Sequence, residues 1–221
     1  CVLGGIVVAA AYVVDHNRKA DEFWKSTQGK GKPVAPMRVG KVEKEFVATN
    51  RDGERAKLSD MRGKVYIASY MFTDCPMGCS GNAAKLAKIH EEFGDDERFK
   101  MVTFSVTPEG DTPEKTDEFL NNYGVGVDDW WFLSGDSEKI SSYVYRTFRL
   151  GKPKKSDNPA VMFEHDFTLV LVDHKADIRG YYNLMHPTPE VADGNGRRLR
   201  QDLRYILDNE MPPALPDSSK S

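Results

Sequence analysis

Two of the chain's three cysteines, Cys75 and Cys79, are separated by three residues in the stretch Thr73-Asp74-Cys75-Pro76-Met77-Gly78-Cys79-Ser80-Gly81. Paired thiols at this spacing can close a disulfide, reduce another disulfide, or hold a soft metal ion, and the last two use the thiolate form. Ahead of them, Lys64 to Phe72 is β-branched and aromatic, the composition of a strand; behind them, Asn82 to Phe93 carries apolar residues at helical spacing. The cysteines therefore belong to a strand-to-helix turn. Free backbone N–H groups and the positive end of a helix dipole at such a turn are expected to favour thiolate. With Cys79 in the first helical turn, the two sulfurs lie one turn apart and can meet on one ion or in one bond.

Two thiolates leave a metal site incomplete, and imidazole is the usual third donor. The chain offers His16, His90, His165, His174 and His186. His16 falls near the N-terminal apolar run and His90 about three turns along the first helix, so neither should reach the cysteines. His165 and His174 flank the apolar segment Phe167 to Val172, on the order of 30 Å apart if the chain between them is extended. Only one of them can share an end of a sheet with Cys75.

The elements that decide between them follow in order. Phe46 to Thr49 and Arg55 to Leu58, joined through Asp52-Gly53, predict an N-terminal β-hairpin. Met101 to Val106 reads as a second strand, and Thr112-Pro113-Glu114 opens a helix with a cap, a proline at the first position and an acid in the first turn. Trp130 to Leu133 is a short strand, Ser137 to Phe148 a helix, and Phe167 to Val172 with Ile178 to Tyr182 a hairpin turned at Asp173 to Asp177. Arg198 to Leu207 is an amphipathic closing helix. Strands alternating with helices, then a hairpin and a last helix, predict an α/β thioredoxin-like fold: a central mixed sheet flanked by helices, with the N-terminal β-hairpin as an extension. In that order the strand after the crossover runs antiparallel to the one bearing the cysteines. Its start, with His165, then lies beside Cys75 and Cys79, and His174 falls in a distant turn.

The 221 residues suffice for one domain with appendages, and a net charge of −3 without a basic stretch gives nucleic-acid binding no electrostatic support. Val2 to Val14 is an uncharged apolar run of 13 residues, fewer than the roughly 20 that a membrane helix takes. It is expected to be the end of a truncated membrane anchor helix over residues 1–14. A cleaved signal peptide and a lipid-modified Cys1 fit less well, the latter because an apolar run directly after it is a poor tether. Residues 15–38 read as a flexible tether, 39–209 as the thioredoxin-like domain, and 210–221 as a disordered Pro- and Ser-rich tail. A thiol pair on a tethered domain points outside the cytoplasm, to the periplasm or an equivalent space.

Several segments together resemble the Sco/SenC proteins, which take part in assembling the copper centre of cytochrome c oxidase. Leu58 to Val65 is similar to that family's lead-in, and Phe72-Thr73-Asp74-Cys75-Pro76-Met77-Gly78-Cys79 to its F-T-x-C-P-x-x-C signature. Phe104 to Glu114 resembles its S-V-D-P-E-x-D-T-P-E segment, and His165 with the strand up to Asp173 its histidine and apolar strand. The resemblance runs over about residues 40 to 208. Ser80, Thr107 and Glu164 stand where the family usually has Pro, Asp and Asp. The resemblance implies copper, Cu(I) or Cu(II), on Cys75, Cys79 and His165. It also implies a metallochaperone whose partners are the oxidase copper-centre subunit or another copper chaperone, and a thiol reductant. The principal alternative is an extracytoplasmic thiol-disulfide oxidoreductase working through Cys75 and Cys79 without metal. A structural disulfide and a zinc site completed by water or Asp74 are the remaining readings.

Overall fold

The computed structural model describes residues 34–75, 78–157 and 163–213. The expected anchor (1–14), most of the tether, Pro76, Met77 and the tail from residue 214 lie outside the described residues.

Strand β4 (Val65–Met71) is buried along its whole length, as a strand covered on both faces must be. It pairs in parallel with β5 (Phe99–Ser105), which pairs in parallel with β6 (Trp130–Leu133). On its other side β4 pairs antiparallel with β9 (Leu169–Val172), followed by β10 (Asp177–Tyr182) and a two-residue β1 (Gly40–Lys41). The six-stranded sheet has the order β1-β10-β9-β4-β5-β6. This is the mixed thioredoxin-like sheet that the strand–helix order predicts.

Helices α1 (Cys79–Phe93), α2 (Pro113–Asn121), α3 (Ser137–Phe148) and α4 (Pro189–Asn209) complete the domain. In α1 the buried positions Cys79, Asn82, Ala83, Leu86, Ile89 and Phe93 recur at three- and four-residue steps. Thr112 caps α2 by accepting from the Lys115 N–H, and Asp136 does the same for α3 through Lys139. The expected hairpin forms as β2 (Val47–Thr49) against β3 (Arg55–Lys57), with Gly53 at φ +82° in its turn.

Two expectations need correction. The closing helix starts at Pro189, not Arg198. Gly194 and Gly196, which weaken a helix, are absorbed by packing: Gly196 is buried, and a Cβ there would meet Leu184 at 3.9 Å. The stretch Lys152 to Asp157 ahead of His165, whose lysines predict a mobile solvated insert, instead carries β7 (Lys154–Lys155), which pairs with β8 (Phe163–Glu164).

Candidate metal centre

The antiparallel pairing of β4 and β9 sets Ala68 opposite Val170 and Tyr66 opposite Val172. The end of β4 and the start of β9 therefore meet at one edge of the sheet. Cys75 lies four residues past the end of β4, His165 four residues before the start of β9, and Cys79 opens α1. Sulfur and imidazole nitrogen atoms of Cys75, Cys79 and His165 all lie within 4.8 Å of one another. Among the described residues this is the one group of His, Cys, Asp or Glu side chains gathered closely enough to hold a metal ion.

Both cysteines are thiols rather than a disulfide. Cys79 is fully buried and Cys75 is half-buried against the core. His165 Nδ1 lies 3.2 Å from the Asp166 carbonyl oxygen, which can only accept, so Nδ1 is the protonated nitrogen. Nε2 then keeps its lone pair and faces Cys79 Sγ at 3.4 Å. A carbonyl contact of this kind would fix the tautomer of a histidine that binds a metal. Aromatic rings wall the imidazole: Phe167 at 4.4 Å between centroids, Phe72 at 5.6 Å and Tyr70 at 6.2 Å.

A hydrogen bond with Cys75 and, next, burial push the Cys79 thiol far above its ordinary value, with Cys75 and Asp111 adding a smaller electrostatic effect. For Cys79 this corrects the expectation that the turn favours thiolate. Cys79 does sit at the helix N-terminus, but the hydrogen bond with Cys75 and desolvation outweigh a dipole effect of about 1 kcal/mol. A cation entering the site must displace that proton.

The loop carrying Cys75 is fixed by a residue the sequence motifs contain without revealing its role. Asp111 is buried, and its Oδ1 accepts from both the Thr73 N–H (2.9 Å) and the Thr73 hydroxyl (2.6 Å). Its Oδ2 accepts from the Ser105 hydroxyl at 2.5 Å and the Thr107 hydroxyl at 3.4 Å. Thr107, which departs from the family pattern, thus supplies a donor to this carboxylate. Burial raises the Asp111 carboxyl above the usual range, and these hydrogen bonds oppose that shift. Asn82 ties α1 to the other half of the site, its amide donating to the Phe167 carbonyl at 3.4 Å.

The remaining candidates lie elsewhere. His90 Nε2 is 3.4 Å from Asp129, and the His174 carbonyl accepts from the Gly63 N–H in the turn after β9. His174 is half-buried there rather than solvated. His186 Nδ1 accepts from the Thr188 N–H. Asp74, the carboxylate considered for zinc, is exposed and paired with Lys115 at 3.2 Å. His16 and Met77 lie outside the described residues.

The SCO1/SenC family model matches residues 35–198. The chain is 29% identical over 146 residues to an SCO1 protein homolog of Bacillus subtilis, a match covering 65% of this chain and 75% of that one. It is similar in structure to a SCO1/SenC family lipoprotein from Bacillus anthracis, with TM-score 0.65 and 25% identity, covering 77% of this chain and 96% of that one. A copper-bound ScoI structure from Arabidopsis thaliana superposes with TM-score 0.57 at 25% identity, covering 72% of this chain and 98% of the other. The fold, the family match and the thiol–imidazole cluster agree, and the chain belongs to the SCO1/SenC family.

Proposed function

We propose that the domain is a copper metallochaperone, with Cys75, Cys79 and His165 as the ligands of its cargo. The carrying observation is the Cys75–Cys79–His165 group, whose donor atoms lie within 4.8 Å of one another. Bonds of about 2.3 Å around a three-coordinate ion set sulfur donors about 4 Å apart. Gathering these atoms on one ion therefore requires movement of less than about 1 Å. Two thiolates suit Cu(I), and the imidazole extends the same set to Cu(II).

Cargo loading requires both cysteines as thiols and releases the Cys79 proton. Delivery then proceeds by ligand exchange to the copper-centre subunit of a cytochrome c oxidase or to another copper chaperone. A membrane anchor ahead of the described residues, with the domain on the periplasmic side, would keep it beside such a client. Among the described residues no helix is long and apolar enough to cross a membrane.

The hydrogen-bonded thiol pair also supports a second reading, a thiol-disulfide oxidoreductase. Cys75 and Cys79 would lose two electrons and two protons to form their disulfide while a client disulfide becomes two thiols. Copper titration of the reduced and the oxidised protein separates the readings. The chaperone takes up one equivalent when reduced and none as the disulfide. A reduced protein that binds no copper yet reduces a client disulfide stoichiometrically belongs to the second reading.

A further inference from the structure

Gly78, between the two cysteines, faces the ring of Phe167. A Cβ on residue 78 would meet Phe167 Cζ at 3.0 Å and Cε1 at 3.2 Å, with Met185 Cε at 3.5 Å on the other side. The φ of Gly78 is −175°, outside the left-handed region that favours glycine, and the close approach of the ring is what a side chain here would meet. Phe167 in turn lies against His165, with centroids 4.4 Å apart at an interplanar angle of 53°. Its backbone carbonyl accepts from Asn82, one turn into α1. The same residue therefore touches the cysteine loop with its ring tip, the cysteine-bearing helix with its carbonyl, and the histidine ligand with its ring.

We infer that Gly78 and Phe167 form a size-matched pair in which Phe167 is the positioning residue that sets the imidazole of His165 against the two sulfurs. The notch left by the missing Cβ lets the ring seat over the loop, and the seated ring limits how the imidazole can turn. A methyl group at residue 78 must push the ring by several tenths of an ångström. The ring also lies against His165, so a displacement that relieves the loop changes the ring's contact with the imidazole. The consequence falls on the ion that depends on the imidazole. Cu(II) needs the nitrogen donor, whereas Cu(I) is satisfied by the two thiolates.

The inference rests on the copper reading above, and the test distinguishes failure of the two. Cu(I) and Cu(II) affinities by competition, with the Cu(II) sulfur-to-metal charge-transfer spectrum, are measured for wild type, G78A, F167L and the double variant. Thermal unfolding of each is followed without metal. We expect G78A to lose about tenfold in Cu(II) affinity with a shifted charge-transfer band and less than about threefold in Cu(I) affinity. F167L removes the positioning ring and should by itself lose several-fold in Cu(II) affinity; because the leucine leaves room for the added methyl, the double variant should bind Cu(II) no more weakly than F167L alone. A G78A protein with the Cu(II) affinity and spectrum of wild type overturns the pairing. So does an F167L protein with wild-type Cu(II) affinity, a double variant whose loss is the product of the two single losses, or a G78A loss matched by an equal Cu(I) loss and a large fall in metal-free stability. If wild type itself binds no copper, the copper reading has failed and this inference with it.

Discussion

The two ends of β9 each carry a histidine, and they differ in how their polar groups are committed. At the end that begins with His165, two thiols and an imidazole converge, their donor atoms within 4.8 Å of one another. At the other end, Asp173 and Arg179 are both buried and paired at 2.8 Å, and Arg179 also holds Glu210 at 2.6 Å and the Pro36 carbonyl at 2.7 Å. Asp173 further accepts from the Lys175 and Asp177 N–H groups. One end is locked by buried ion pairs, and the other gathers three soft donor atoms within reach of one ion. Breaking a closed buried network is costly and points to stability, whereas two thiols and an imidazole brought together in this way point to a ligand.

The largest expected effect comes from opening the closed end. Arg179→Leu leaves Asp173 buried without its cation, and denaturant unfolding should show a loss of about 3–5 kcal/mol. Copper affinity of the folded fraction should stay at the wild-type value. A parallel loss of copper binding would show that the two ends are not separable.

A smaller effect is expected at Asp111, on the open side. Asp111→Ala strips acceptors from the Thr73 N–H and hydroxyl beside Cys75, and about 1–3 kcal/mol of stability should go with them. Unlike Arg179→Leu, it should also weaken copper binding, because it frees the loop that carries Cys75. Stability lost with copper affinity untouched would assign Asp111 to the scaffold alone.

The closed end should further show in acid. The Arg179 hydrogen bond, ahead of other influences, holds the Glu210 carboxyl below its ordinary value of 4.5. A folded value below the unfolded one gives stability that is present above about pH 4.5 and lost as pH falls through the lower folded value. Glu210→Gln should therefore flatten the acid branch of the stability–pH curve. An unchanged acid branch would mean that the pairing contributes nothing measurable.

Much of this contrast was legible in the sequence, for identifiable reasons. The continuous apolar runs of β4 and β9 mark buried strands, and the strand–helix order makes β9 antiparallel to β4. That alone selects His165 over His174 without any knowledge of side-chain contacts. What escaped depended on tertiary neighbours. The thiolate preference expected for the turn fails at Cys79 because its hydrogen bond with Cys75 and its burial hold the proton, and neither can be seen in a local pattern. Asp111 stands in a recognisable motif, yet its four donors come from Thr73, Ser105 and Thr107, brought together only by the parallel pairing of β4 and β5. The first turns of α4 carry Gly194 and Gly196, residues that weaken a helix, and the burial of Gly196 near Leu184 is a tertiary fact with no local signal.

The central claim is that the open end of the sheet is a two-sulfur, one-nitrogen copper site built on Cys75, Cys79 and His165. Electron paramagnetic resonance of the Cu(II)-loaded protein, compared among wild type, His165→Ala and His174→Ala, tests it most directly. The account predicts coupling to one imidazole nitrogen and strong sulfur covalency in wild type and in His174→Ala, with the nitrogen coupling gone in His165→Ala. A wild-type spectrum unchanged by His165→Ala would contradict it.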